Sequence, residues 1–539
     1  MNSVSASTAP PASVTSGVDS DECEVLLKRA IEIVRGPIHG SQETTNLADN
    51  GAENSPALAS SALVHPATRK RRTATRMVGR ILLVVLILAV TGCALLALIG
   101  SQADLSSEPK GVGAEVERTR QAVRFEQLAQ EQIFQPGLRL FIIGAVGSAN
   151  QGMSVALSAN GDTAIVGGPG PNNADRDRSP LVGPIGAAWV FTRSGGVWTQ
   201  QGDKLVGSTS EYGGGLWSQG ASVALSADGN TAIVGGPSDN RTTGAAWVFT
   251  RSGGVWTQQG NKLVGAGVYP AGEPPLPLGQ GMSVALSADG NTAIVGGWRA
   301  EAVWVFTRSS GVWTQQGEKL VGTGAAGNAR QGMSVALSAD GNTAIVGGWS
   351  DNSRTGAAWV FTRSGSVWTQ QGKKLVGTGA VGNARQGMSV ALSADGNTAI
   401  VGGPSDNARA GSVPFGLGAA GAAWVFTRSA GVWTQQGNKL ISTGAAESGR
   451  HGMSVALSAD GNSAIVGGLA DDKGVGAALA YTRSGGHWTQ DKKLVGTGAM
   501  AASSVALSGD GSVVMVGSPD VSGGVGAAWV FMRSGGGSN

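Results

Sequence analysis

The phrase SVALSADGNTAIVGG, followed after a variable gap by GAAWVFTRSGGVWTQQGxKLVG, recurs through residues 150–534 of this 539-residue chain. Its opening serines stand at Ser154, Ser222, Ser283, Ser334, Ser389, Ser454 and Ser504, between 50 and 68 residues apart. Periods of this size belong to propellers, solenoids or arrays rather than to one irregular globule.

In the fourth copy, Ser334 to Ala339 alternates Val335 and Leu337 with Ser334, Ala336 and Ser338, as a strand with two different faces does. Asp340-Gly341 makes the turn, because a tight hairpin needs positive φ at its centre. Thr343–Val346 is the second strand and Ala357–Thr362 the third. Gly365 and Ser366 turn the chain into a fourth, made of Val367–Gln370 plus Lys374–Val376. Such a meander has two apolar faces and little core of its own, so it stacks on its neighbours, and radial stacking gives a β-propeller. Twelve of the fifteen tryptophans fall on repeat positions of strands three and four, where they read as packing between blades.

The seventh copy ends after GAAWVFMRS without a fourth strand, whereas residues 133–152 align without a gap to 368–387. The expected fold is all-β: a seven-bladed β-propeller of four-stranded blades closed by an N-terminal strand and preceded by one transmembrane helix. Closure of this kind removes open sheet edges.

Gly332-Met333-Ser334-Val335, Asp340-Gly341-Asn342, Ile345-Val346-Gly347-Gly348 and Gly356-Ala357-Ala358-Trp359-Val360-Phe361 resemble the motifs of the FG-GAP repeat proteins, whose best-known members are the N-terminal β-propellers of integrin alpha chains. The likeness covers residues 132–534 and implies adhesion or ligand binding, or for some members an enzyme-associated propeller. It also implies calcium in D-x-D-x-D-G loops. Here those loops are shortened to turns around Asp289, Asp340, Asp395 and Asp460. One carboxylate does not supply the about six to eight oxygens calcium takes, so no metal or cofactor is expected.

In a meander blade the turns between strands one and two and between three and four emerge on one face; the remaining loops emerge on the other. ADGN and RSGG hardly vary, but the loops at 169–185, 266–280 and 404–420 swell. Rigid scaffolds carry recognition on their loops, so the variable face is the expected binding face. Trp217, Tyr269, Trp298 and Trp349 lie there outside the repeat pattern, with Arg299, Arg354, Asp239, Asp351 and Asp406 nearby. Aromatics flanked by charges suit protein or glycan contact, and equally the packing of loop on loop.

Residues 81–100 are twenty without a charge, which as a helix at about 1.5 Å per residue matches a bilayer core of about 30 Å. Arg69, Lys70, Arg71, Arg72, Arg76 and Arg80 precede this run, so the N-terminus is expected in the cytoplasm and the propeller outside. Val90-Thr91-Gly92-Cys93 resembles a lipoprotein cleavage box, which makes anchoring at Cys93 the alternative. Residues 1–76 read as mostly disordered, with an amphipathic helix at 21–35 able to dock a cytoplasmic partner. Residues 77–100 read as the membrane helix, 101–131 as a helical stalk or linker and 535–539 as a disordered tail.

The net charge of +3 owes much to the juxtamembrane cluster, so anionic lipid and not nucleic acid is the partner it implies. Cys23 and Cys93 both precede the repeats and cannot bridge them. His39, His65, His451 and His487 form no metal or nucleophile motif. The chain is therefore expected not to be an enzyme but a binding or adhesion module for protein or glycan. The alternative is a single-pass sensor relaying ligand binding to a partner of residues 21–35.

Overall fold

The computed structural model describes residues 137–145, 147–170, 186–208, 218–267, 277–408, 418–443, 448–471, 475–496 and 501–533. Its strands form seven separate four-stranded sheets. In blade 4, Ser334–Leu337, Thr343–Gly348, Ala357–Ser364 and Val367–Gln370 pair antiparallel in chain order. Val335 lies opposite Val346, Val346 opposite Trp359, and Arg363 opposite Trp368. Thr343–Gly348 is buried on both faces, which is why it reads as an unbroken apolar run, whereas Val367–Gln370 alternates exposed and half-buried at the rim. The molecule is an all-β, seven-bladed propeller.

The fourth strand is shorter than the pattern implies. It stops at Gln370, passes through Gly372 at φ 70°, and resumes only as a bridge between Leu375 and Ala358. Blade 6 lacks that glycine and is one residue shorter here, and its strand runs unbroken over His487–Leu494.

Blades meet through large side chains. Trp189, Trp247, Trp304, Trp359, Trp424 and Trp529 are fully buried. Trp424 of blade 5, for instance, shares a cluster with Ile345 and Val360 of blade 4. A Cβ on Gly377 would come within 2.1 Å of that indole, so only glycine lets the neighbouring chain pass over it, and the indole N–H donates to the Thr378 carbonyl at 2.8 Å. On the fourth strands, Trp368 Nε1 donates to Gln316 Oε1 of blade 3 at 3.0 Å, with the Arg363 guanidinium 5.3 Å from its ring. Both tryptophan sets pack between blades, as expected.

Closure is visible in one circuit of backbone hydrogen bonds. Ala159 N–H donates to Ala227 O, Ala227 to Ala288, Ala288 to Ala339, Ala339 to Ala394, Ala394 to Ala459, Ala459 to Gly509 and Gly509 back to Ala159, all at 2.8–2.9 Å. The serine that opens each repeat adds a second tie: Ser334 Oγ donates to Gly387 O of the next blade at 2.9 Å, and Ser504 Oγ to Gly152 O across the seam at 2.8 Å. Blade 7 takes its outer strand from Leu138–Arg139, with Leu138 opposite Val530 and Arg139 opposite Trp529.

Among the described residues no helix is long and apolar enough to cross a membrane. The expected span at 81–100, the helix at 21–35, the stalk at 101–131 and the tail at 535–539 lie outside the described residues.

Candidate functional site

On the face with constant turns, each turn acid is satisfied within its own turn. Asp340 Oδ1 accepts from Ser338 Oγ and from Asn342 N–H at 2.9 Å, and Oδ2 accepts from Asn342 Nδ2 at 3.0 Å. Arg363 Nε then donates to Asn342 Oδ1 at 2.9 Å. Partial burial pushes the Asp340 carboxyl up, but the hydrogen bonds from Ser338 and Asn342, aided by Arg363, outweigh it and hold the pKa below the usual value. Both carboxylate oxygens are thus engaged by the turn itself, and these turns do not fit a calcium ion. Among the described residues no three His, Cys, Asp or Glu side chains come together as a metal site.

The opposite face is built differently. Asp239, Asp351 and Asp406 are at most 1% exposed, and Lys262, Lys374 and Lys439 reach them at 2.5–2.6 Å. Asp351 Oδ1 also accepts from Ala326 N–H at 2.7 Å, and Asp406 Oδ1 from Val381 N–H at 2.8 Å. Each of the latter two ties the loop that leads into its blade to the lysine following the fourth strand. The sequence places these aspartates beside surface aromatics; the structure places them beneath the surface, as latches for the loops above.

Trp298 and Trp349 are half-buried in the second-to-third loops of blades 3 and 4, and Arg299 and Arg354 of the same two loops are exposed. The Arg299 guanidinium lies 4.8 Å from the Trp298 ring centroid, and so does that of Arg330, which comes from the loop leading into blade 4. One blade on, Arg385 lies 5.0 Å from the Trp349 ring, and its backbone N–H donates to Arg354 O at 2.9 Å. Arg450 N–H donates to Ala419 O at 3.0 Å in the same way. Burial lowers the Arg385 pKa, and the neighbouring charges of Arg354 and Arg450 lower it further; burial lowers that of Arg450 too. Trp217 and Tyr269 lie outside the described residues.

Arg330, Arg385 and Arg450 are absent from the residues singled out by sequence. The signal was available: the residue four places before each repeat serine is Asn150, Ser218, Gly279, Arg330, Arg385 and Arg450 in blades 1 to 6, a variable column beside constant ones. Except at Ser218 its backbone is left-handed, with φ of 53° at Asn150, 67° at Gly279, and 60°, 58° and 49° at the three arginines.

No protein-family model matches the sequence, and no curated protein matches it. Among solved structures, a Bacteroides uniformis protein proposed to be a 6-phosphogluconolactonase matches with a TM-score of 0.43 and 13% identity, over 65% of this chain and 86% of that one. The periplasmic gluconolactonase of Pseudomonas aeruginosa matches with a TM-score of 0.42 and 16% identity, over 65% and 86%. The hydrazine synthase of Kuenenia stuttgartiensis matches with a TM-score of 0.44 and 12% identity, over 73% and 99%. One expectation does not stand against these names. The chain was expected not to be an enzyme, yet the solved propellers that match it include named lactonases. At these identities the likeness reaches only to the fold, and what those proteins act on is said of them alone.

Proposed function

We propose that this chain is a membrane-anchored, extracytoplasmic propeller that recognises a protein or glycan ligand through its variable loop face. The observation that carries this reading is the one-sided variation: the turns of the ADGN and RSGG type hardly change while the loops at 169–185 and 404–420 expand on the other side. Trp298 and Trp349, with their arginines, sit on that side, and aromatic and arginine residues are the side chains that dominate recognition surfaces. The apolar run at 81–100, with its preceding cations, supports the anchor and the outward orientation.

Exchanging both long loops for short turns in the full chain, and comparing binding on glycan and surface-protein arrays, tests the reading. At least a tenfold loss for any ligand the parent captures is expected. Undiminished capture of every ligand sinks it.

A further inference from the structure

The joint that closes the ring is built less completely than the joints it repeats. We propose that residues 137–143 are a releasable strap: the disc opens first between this strap and blade 1, at the rim, and hinges at the axis.

In blades 2 to 5 three side chains hold the chain arriving from the preceding blade. The third-strand tryptophan donates to a carbonyl of that chain, as Trp247 does to Ser208 O at 2.9 Å and Trp424 to Thr378 O at 2.8 Å. The fourth-strand tryptophan donates to a glutamine, as Trp256 does to Gln201 Oε1 at 3.0 Å. A second glutamine, ahead of the repeat serine, takes both groups of the arriving glycine: Gln219 Oε1 accepts from Gly207 N–H at 2.7 Å and Nε2 donates to Gly207 O at 3.2 Å. In blade 1 the corresponding donors are Trp189 Nε1, Trp198 Nε1 and Gln151 Nε2, and all three are buried without a hydrogen bond among the described residues. Blade 7 leaves one such donor, Trp529 Nε1. A buried donor without an acceptor weakens a joint by more than a made bond strengthens it.

The strap's own sequence accounts for the difference. Ile142 stands where the repeats have Gly207, Gly265, Gly322 and Gly377, and a Cβ on any of those glycines would lie 2.1–2.2 Å from the indole beneath. A side chain at this point keeps the strap from crossing Trp189 as the other chains cross their tryptophans. Pro136 holds the register position of Gln201 and Gln371, and proline has no side-chain acceptor to offer Trp198. Phe141 and Ile143 are 81% and 72% exposed, so they add little burial in exchange.

The remaining contacts fix where the opening occurs. Toward blade 7 the strap is paired through Leu138 and Arg139, and Leu140 N–H donates to Ala528 O at 2.9 Å. At the axis blades 7 and 1 keep the ties that every joint has, Ser504 Oγ to Gly152 O and Gly509 N–H to Ala159 O, both at 2.8 Å. Toward blade 1 the strap retains Gln200, which accepts from Ile143 N–H at 2.7 Å and donates to Ile143 O at 3.3 Å, and the packing of Leu140 and Ile142 near Trp189. Local opening follows the weakest set of contacts, here those between strap and blade 1. The strap continues into residues 1–136, so a pull or restraint from that side acts on this joint.

The test is thiol labelling of the full chain carrying Cys23→Ser and Cys93→Ser, with one new cysteine at a time and each rate divided by that of the unfolded chain. Leu140→Cys probes the strap, and Leu205→Cys and Leu375→Cys probe the same buried position at two repeated joints. Labelling at least tenfold faster in Leu140→Cys, slowed several-fold by adding Ile142→Gly and Pro136→Gln, supports the strap. Should Ile142→Gly lower the thermal midpoint, Pro136→Gln added alone decides by the same slowing. Equal rates at the three positions overturn the proposal, and so does fast labelling that neither repair slows, since the missing bonds are then not its cause. Val155→Cys and Val390→Cys, on first strands near the axis, are expected to label equally slowly; Val155→Cys labelling as fast as Leu140→Cys removes the hinge and overturns the proposal as well.

Discussion

The two faces of the disc are made by the same strands and handle charge in opposite ways. On the constant face, each acid is bonded within its own turn: Asp340 takes Ser338 and Asn342, and Asn342 takes Arg363. On the variable face the acids are buried as loop latches, as with Asp351 and Lys374, and Arg385 stacks on the Trp349 indole, with Arg354 and Arg450 near enough for their charges to lower its pKa. The constant turns meet the next blade through contacts that every blade repeats, such as Ala339 N–H to Ala394 O, so one sequence serves them all. The variable loops meet partners that differ from blade to blade and vary with them.

The comparison presumes a closed disc, so the largest expected effect tests closure. Removing residues 132–145 takes away the strand Leu138–Arg139 and the 4%-exposed Leu140, exposing the edge at Trp529 and Val530. Loss of that burial and pairing costs several kcal/mol, on the order of 5, and a clearly lower, broader thermal transition is expected. An unchanged melt breaks the picture of a disc with two faces.

Next in size is the latch. Asp351→Ala leaves Lys374, 21% exposed, without its carboxylate and Ala326 N–H without its acceptor, at a cost of about 3 kcal/mol by chemical denaturation. Adding Lys374→Met restores much of that loss, because the unpaired charge goes. If Asp351→Ala is as mild as a surface change, the aspartate belongs to the surface, where its place in the sequence put it.

That discrepancy shows what pattern reading reaches. Alternation and Asp-Gly turns reveal pairing within a blade, and the seam at 133–152 was legible because its alignment to 368–387 needs no geometry. Partners from another blade were not legible. Ser334 looked like one more small strand residue, yet its hydroxyl reaches Gly387. Asp351 meets Ala326 and Lys374, 25 and 23 residues away on opposite sides, a convergence no local period encodes. The arginines escaped notice because left-handed φ is read from glycine and asparagine, and here arginine adopts it.

One substitution made on both faces sharpens the contrast. Arg363→Gly removes bonds to Asn342, Gln316 and Thr292 and a stack on Trp368, for about 2 kcal/mol. Arg385→Gly loses its stack on Trp349 but is relieved of left-handed strain, so a smaller loss than at Arg363 is expected. Equal losses in the two variants, by denaturant midpoint, erase the distinction between repeated turns and strained loops.

The smallest effect has a pH signature. The Asp340 carboxyl lies below its usual pKa in the folded chain, so the unfolded chain binds its proton first as pH falls. Its contribution is complete above the unfolded value of about 3.9 and fades as pH drops through the lower folded value. Asp340 is exposed and its bonds are screened by solvent, so Asp340→Ala costs no more than about 0.5–1 kcal/mol at neutral pH, and the gap between parent and variant closes progressively below about pH 4. The gap for Arg363→Gly closes with it only in the share that Asp340 contributes to that arginine, since the guanidinium itself stays charged throughout. A gap for Asp340→Ala that stays constant from pH 7 to about pH 2.5 means the carboxylate does not hold the turn, and the constant face then owes its uniformity to backbone geometry alone.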